Sequence, residues 1–315
     1  MSKTQYTPES LQEAVIHFSN LDVCHDYMVR IKWPNGVVTC PKCGGTNVGE
    51  IKSRRMFQCK DKDCRKQFST KVNTVFEDSP LGLDKWFVAV WCITNAKNGI
   101  SSCELARALK ITQKSSWHLL HRVRLAMQTK SFHKAQGEIE SDETMIGGRA
   151  RNMHKAARKA KIKGTGASGK VIVQGLFERG GRVRAMIVKD QKRGTLQAQV
   201  YKHVEPGSAV YTDALASYLG LDVNYIHAMI DHAKGYVEGR VHTNGIENFW
   251  SLLKRCLNGT YVAVAPFHLD RYLDEQTFRY NKRKGIDRTR FMEAMLSVVG
   301  RRLTYKQLTG VESSC

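Results

Sequence analysis

Asp142, Asp213, Glu247 and Lys254 are of the types, and in the order, that metal-assisted phosphodiester chemistry requires. Cutting such a bond without a covalent enzyme intermediate calls for two divalent ions roughly 4 Å apart, which activate the nucleophile and stabilise the leaving oxygen. Magnesium, or manganese in its place, is held by a few carboxylates, with water and phosphate completing the octahedron. The chain must therefore bring acids from separate strands to one end of a sheet. Glu138-Ile-Glu-Ser-Asp142 reads as a strand ending in acids, and Ala209-Val-Tyr-Thr-Asp213 as a buried strand ending in a carboxylate. From Thr243 to Leu257 the apolar stripe Ile246, Phe249 and Leu253 predicts a helix that begins close to Glu247. Lys254 lies seven positions after Glu247, so it shares the helix face about two turns away and can contact a phosphate beside the metals. A single acid at a strand end is usually a cap or a surface charge; three in this order, with a hairpin between the first two, are not easily dismissed.

A second set of ligand types is local. Cys40 and Cys43 form one close pair and Cys59 and Cys64 another, with 15 residues between the pairs. Two such pairs, each on a tight turn, suit tetrahedral zinc. Gly44 and Gly45 supply backbone freedom after the first pair. Four sulfurs fill every position, so one structural zinc is expected, with no site left open for chemistry. The remaining five of the nine cysteines are scattered singly, and the odd total argues against a disulfide framework.

The elements that must carry these groups fall into modules. Residues 1–34 read as an N-terminal helical segment and 35–78 as a zinc ribbon. Residues 79–132 form a helical module: Trp86, Phe87, Val90 and Ile93 have helical spacing, and Ser101 with Glu104 makes a capping box. Thr112 caps a third helix that buries Trp117, Leu120, Val123 and Met127 and shows Lys114, His118 and Arg122 on its outer face. Short helix, tight turn and longer basic helix make a helix-turn-helix pattern, expected to bind DNA. Residues 133–290 form the catalytic core. Lys170 to Phe177, a Gly180-Gly181 turn and Arg182 to Val188 predict a hairpin, Thr195 to His203 and Ala214 to Leu221 helices, and Tyr225 to Ile230 a further strand. The fold class is therefore α/β and multidomain, with a mixed sheet covered by helices, and residues 291–315 are a C-terminal tail.

Composition bounds the partners. Lys and Arg number 50 against 29 Asp and Glu, a formal charge of +21, which favours a polyanion because basic side chains release counterions from phosphate backbones. Charge alone does not separate DNA from RNA or from an anionic membrane, but no apolar run approaches the roughly 20 residues that span a bilayer, and the first 30 residues have no signal-peptide core. A cytoplasmic, nucleoid-associated protein is expected. The stretch from Arg149 to Lys170 has eight basic residues and no acid; Arg149, Arg151, Arg158 and Lys159 belong either to a solvated loop or to a DNA-contacting one.

The motifs resemble those of prokaryotic insertion-sequence transposases with an RNase H-like catalytic core, in the zinc-ribbon group related to eukaryotic Merlin elements. The resemblance rests on Cys-Pro-Lys-Cys-Gly at 40–44, Cys-Arg-Lys-Gln-Phe at 64–68, Asp-Glu-Thr-Met-Ile-Gly-Gly at 142–148 and Tyr-Thr-Asp at 211–213. It continues through His-Thr-Asn-Gly-Ile-Glu-Asn-Phe-Trp-Ser-Leu-Leu-Lys-Arg at 242–255, which ends on Arg255, and Phe-Arg-Tyr-Asn at 278–281. It implies a DDE-type recombinase that uses water and then a DNA 3′-hydroxyl as successive nucleophiles, with Arg255 among the DNA contacts. It also implies double-stranded DNA as partner, both element ends and target, and a homodimer or larger assembly on paired ends. Some relatives use Asn as the third member of the triad, which makes Asn244 the alternative to Glu247; Glu247 is preferred, since a charged oxygen binds a hard cation better. Glu140 and Glu143 flank Asp142 and are candidates to support it, as His242 is to assist catalysis. The Cys59–Cys64 pair is wider than in the family's pattern.

Overall fold

The computed structural model describes residues 7–128, 133–148, 154–162, 168–213, 216–230 and 241–310. They fall into two compact units, the described parts of Met1–Gln128 with Lys282–Cys315, and those of Thr129–Asn281.

The first unit opens with two helices, α1 (Leu11–Phe18) and α2 (Leu21–Lys32), capped by the side chains of Ser10 and Asn20. Three short antiparallel strands follow, β1 (Val48–Ile51), β2 (Met56–Cys59) and β3 (Gln67–Ser69), in the order β1-β2-β3. Trp33, Phe57 and Phe68 make the small core under them, together with Cys40 and Cys59. Helices α3 (Leu83–Asn95), α4 (Ser102–Leu109) and α5 (Gln113–Met127) come next. The Ser101–Glu104 capping box forms at the start of α4, and Thr112 caps α5 by accepting from the Ser115 N–H. Both satisfy backbone donors that a helix start would otherwise leave unpaired.

The second unit is built on a five-stranded sheet: β4 (Glu138–Ile146), β5 (Val171–Glu178), β6 (Val183–Val188), β7 (Ala209–Asp213) and β8 (Ile226–Ile230). Its order is β6-β5-β4-β7-β8; the first three strands pair antiparallel, while β7 and β8 run parallel to β4. Helix α6 (Lys155–Lys161) lies between β4 and β5 in sequence, and α7 (Arg193–His203) between β6 and β7. The last two helices of the unit are α8 (Asn244–Arg255) and α9 (Leu269–Asn281). Ile246, Phe249, Trp250 and Leu253 of α8 pack with α9 against one face of the sheet. Leu196 and Val200 of α7 pack with Tyr218 and Leu221 against the other. This three-layer arrangement around a mixed sheet is the one expected for the core.

Three boundaries differ from expectation. Strand β4 does not stop at Asp142 but runs four residues further, because its β5 partner stays in register to the Ile146–Val171 pair. The helix expected over 214–221 appears among the described residues as two short 3-10 turns, at Ala216–Tyr218 and Leu221–Val223. In place of a tail from 291, the described residues 282–310 belong to the first unit and carry α10 (Asp287–Leu296) and α11 (Tyr305–Thr309). Phe291 of α10 joins an aromatic cluster, its ring 5.3 Å from Phe18 and 6.1 Å from Phe87. Burying that ring is worth about 2 kcal/mol, which holds the segment in place.

Candidate active site and metal centres

The four cysteines converge as their spacing requires. Cys40 and Cys64 sulfurs lie 3.6 Å apart, as do those of Cys43 and Cys59, and all four lie within 4.8 Å of one another. A tetrahedral zinc with bonds of about 2.3 Å separates its sulfurs by nearly 3.8 Å, so the donor set fits the ion. Burial raises the Cys40 thiol, but N–H groups of Cys43 and Lys42 aimed at its sulfur, with the thiols of Cys43 and Cys64, bring it down to about 7. The widened Cys59–Cys64 pair is accommodated by a turn in which the Cys64 and Arg65 N–H groups both donate to the Asp61 carbonyl. No sulfur is left over for a substrate.

The carboxylates are assembled by topology. Asp142 is the fifth residue of β4, the central strand, and faces α8. Ser141 pairs with Thr212 on parallel β7, so Asp213 follows at the register position next to Asp142, on the same side of the sheet. Glu247 sits in the first turn of α8 and accepts a hydrogen bond from the Thr243 hydroxyl at 2.8 Å. Burial pushes the Asp142 carboxyl up to about 6, and the charges of Asp213 and Glu247 push it the same way. The Glu143 N–H and the Trp250 indole, 3.0 Å from Oδ2, oppose that rise. Asp142, half-buried and pressed by two neighbouring acids, would be relieved by a divalent cation, and carboxylate oxygens are the donors magnesium prefers.

Several residues that hold this arrangement were not singled out from sequence, and Glu140 and His242, which were, take a different part from the one expected. Trp250 stands one turn after Glu247 and reaches Asp142 across the sheet surface. It fits only because Gly175 lies opposite Asp142 on β5: a Cβ there would come 2.5 Å from the Trp250 ring and 2.6 Å from Ile246. Gly245, at the second position of α8, leaves room for the Phe177 ring and the Glu140 carboxylate in the same way. Glu140 is buried, accepts from the Ile246 N–H at 2.9 Å and from Arg179 Nε at 2.8 Å, and so caps the start of α8. Arg179 also donates to the His242 carbonyl at 2.9 Å and lies over the Tyr211 ring at 4.4 Å. His242 is thus part of the mounting of α8, its Nδ1 3.3 Å from Glu140. Spacing offered one clue: positions 247, 250 and 254 share a helix face. The pairing of Glu140 with Arg179, 39 residues away, offered none.

Glu143 points to the opposite face from Asp142. Tyr218 donates to it, and burial, with Asp142 and Asp213 nearby, raises its carboxyl to about 7. Lys254 and Arg255 are exposed at the end of α8, and Asn244 is exposed at its start. Arg158 and Lys159 are exposed on α6, while Arg149 and Arg151 lie outside the described residues.

The outer face expected on α5 is not there as drawn. Lys114 is exposed, its ammonium 4.9 Å from the Tyr305 ring, and His118 lies half-buried, its ring 5.5 Å from the same tyrosine. Arg122 is buried: Nε donates to the Leu303 carbonyl at 2.9 Å, and the guanidinium also bonds the Glu77 carbonyl. The segment carrying Leu303 and Tyr305 covers a face that sequence reading left to solvent. Trp117, expected inside, is only half-buried.

With this geometry in view, the comparisons with known proteins agree. Residues 134–281 match an ISXO2-like transposase domain and residues 20–67 a transposase zinc-ribbon domain. A protein of transposable element ISH50 in Halobacterium salinarum is 30% identical over 259 residues, 78% of this chain and 86% of the relative. A transposase-like protein of Haemophilus influenzae is 35% identical over 101 residues, 32% of this chain and 81% of the relative. The ribbon match spans Cys40, Cys43, Cys59 and Cys64, and the transposase-domain match spans the candidate acids Asp142, Asp213 and Glu247. This chain belongs to the family of transposases that join a zinc ribbon to an ISXO2-like catalytic domain.

Proposed function

We propose that this chain binds the terminal inverted repeats of an insertion sequence, cuts the DNA there and joins the cut end to a target. The observation that carries this reading is the meeting of Asp142, Asp213 and Glu247, with Asp142 pushed up to about 6 by burial and by the other two. Asp142 and Asp213 would hold two divalent ions, magnesium or manganese, with Glu247 as the third ligand in preference to Asn244. Ions bound there supply an activated nucleophile, first water and then a 3′-hydroxyl, and stabilise the leaving oxygen. Trp250 fixes the rotamer of Asp142, and Glu140 with Arg179 fixes the start of α8 and hence Glu247. Lys254 and Arg255 present positive charge to the phosphates flanking the cut. The ribbon and the α3–α5 module bind the element's ends, Lys114 remaining on the accessible surface. A homodimer or larger assembly would hold two ends together.

Strand cleavage and joining on the gene's own flanking DNA, with magnesium, tests this directly. The wild type nicks at the ends and joins them to a second duplex, and Asp213→Asn loses both activities by about a thousand-fold or more. Cleavage with no joining would replace the reading with that of a nuclease. Tight binding with no cleavage by either protein would reduce it to a DNA-binding regulator.

A further inference from the structure

Beside Lys254 the second unit has an open cavity of about 590 Å³ that the cleavage chemistry does not use. Residues 145–148 at the end of β4 form one wall, and Lys254, Leu257 and Asn258 a second. The third wall is the stretch 262–265. The lining is largely apolar, with an ammonium and one carboxamide at its edge.

The third wall is built under strain. After Arg255 the helix continues as a π-helical turn over Cys256–Tyr261, a form frequent at functional sites. Val262 then adopts φ 60° and ψ −56°, and the Ala263 N–H donates to the Tyr261 carbonyl at 2.6 Å. This is a γ-turn of the rare, strained hand. Among the described residues with positive φ, Val262 is the β-branched one, the side-chain type least suited to it. Burial does not offset the cost, since Val262 is 76% exposed. The turn is nonetheless held firmly from below: the Tyr261 hydroxyl bonds Glu275, which pairs with buried Arg279. A strained, anchored backbone that lifts an apolar side chain into solvent points to a ligand that meets it.

Building on the proposed function, we propose that this cavity receives one unstacked nucleobase of the strand being cut, with Val262 as the wedge that separates it from its neighbour. The apolar walls match the faces of a base, Asn258 can hydrogen-bond its edge, and Lys254 pairs with the adjoining phosphate. Apolar wedges that part base steps, and snug pockets for the extruded base, are general devices of proteins that act on DNA. The position follows from the elements. Ile146 is four residues beyond Asp142, about 13 Å along a strand. Lys254 is seven residues beyond Glu247, about 10 Å along a helix. At a stacked rise of about 3.4 Å per nucleotide, the base is roughly three to four nucleotides from the cut.

The test uses the full chain and its end duplex, with 2-aminopurine placed at one position at a time around the cut. Wild-type protein should raise the fluorescence several-fold at one position in that interval. Ala263→Trp, which fills the cavity, should abolish the rise and slow cleavage at least ten-fold, and an abasic site at that position should restore cleavage. Val262→Gly relieves the strained turn, so it should melt no lower than wild type while weakening the fluorescence rise. A wild type that cuts the duplex with no rise at any position overturns the pocket and leaves the cleavage reading standing. Val262→Gly and Ala263→Trp behaving as wild type in both readouts overturns it as well. A wild type that never cuts overturns both.

Discussion

The ribbon is built to hold zinc, and the carboxylates proposed to hold catalytic metal are brought together by opposite means. The ribbon draws four ligands from positions 40 to 64, closes them into one tetrahedron and leaves no donor position open. The cluster draws acids from β4, β7 and α8, spread from position 142 to 247, and the charges of Asp213 and Glu247 both raise the Asp142 carboxyl. Removing the metal therefore affects different levels of the molecule. Zinc contributes folding free energy to the ribbon, whose core of three aromatic rings is small. The second unit has a core on each face of its sheet, which makes its folding independent of any metal at the acids an expected outcome. One metal is structural because its ligands are local and complete; the other would be catalytic because its ligands are convergent and incomplete.

The contrast is broken or sharpened by substitutions of falling effect. Glu247→Gln should cost cleavage about a thousand-fold, whereas Asn244→Ala should stay within a few-fold; the reverse order in a single-turnover assay would move the third ligand to Asn244. Cys59→Ser, or chelation of zinc, should unfold the ribbon and abolish end binding, with no change in the melting of the second unit followed by near-ultraviolet circular dichroism. If the zinc-free protein binds ends normally, the ribbon has no part in recognition. Gly175→Ala forces Trp250 and Ile246 away from the sheet, so it should destabilise the second unit by about 1–3 kcal/mol in urea melts and slow cleavage. Arg122→Met leaves two carbonyls without their donor. It should cost about 1–3 kcal/mol of stability and leave DNA affinity per folded molecule unchanged, while Lys114→Ala weakens affinity modestly and flattens its salt dependence.

What the sequence made legible follows the same division. Local features were readable: both cysteine pairs, the Ser101–Glu104 box, the Gly180-Gly181 turn of the β5–β6 hairpin and the apolar stripe of α8. Asp142 was found for its chemistry but misplaced at a strand end. Its strand continues because the register with β5 is set by a partner that composition cannot display. Arg122 was misread because a helix was assumed to have one buried face. In α5 the chain's own C-terminal segment covers a second face, and a guanidinium reads as surface until its carbonyl partners at Glu77 and Leu303 are known. Glu140 was flagged only as a neighbour of Asp142, and Gly175 and Arg179 were invisible for a related reason: each matters through a residue far away in sequence, and only packing shows it.

The central claim, that Asp142, Asp213 and Glu247 form one metal-binding surface apart from the ribbon, is tested most directly by anomalous diffraction from crystals grown with end DNA and manganese. The account predicts manganese peaks coordinated by Asp142, Asp213 and Glu247 beside a DNA phosphate, with zinc confined to the four cysteines. Peaks elsewhere, or a site completed by Asn244 with Glu247 turned away, would contradict it.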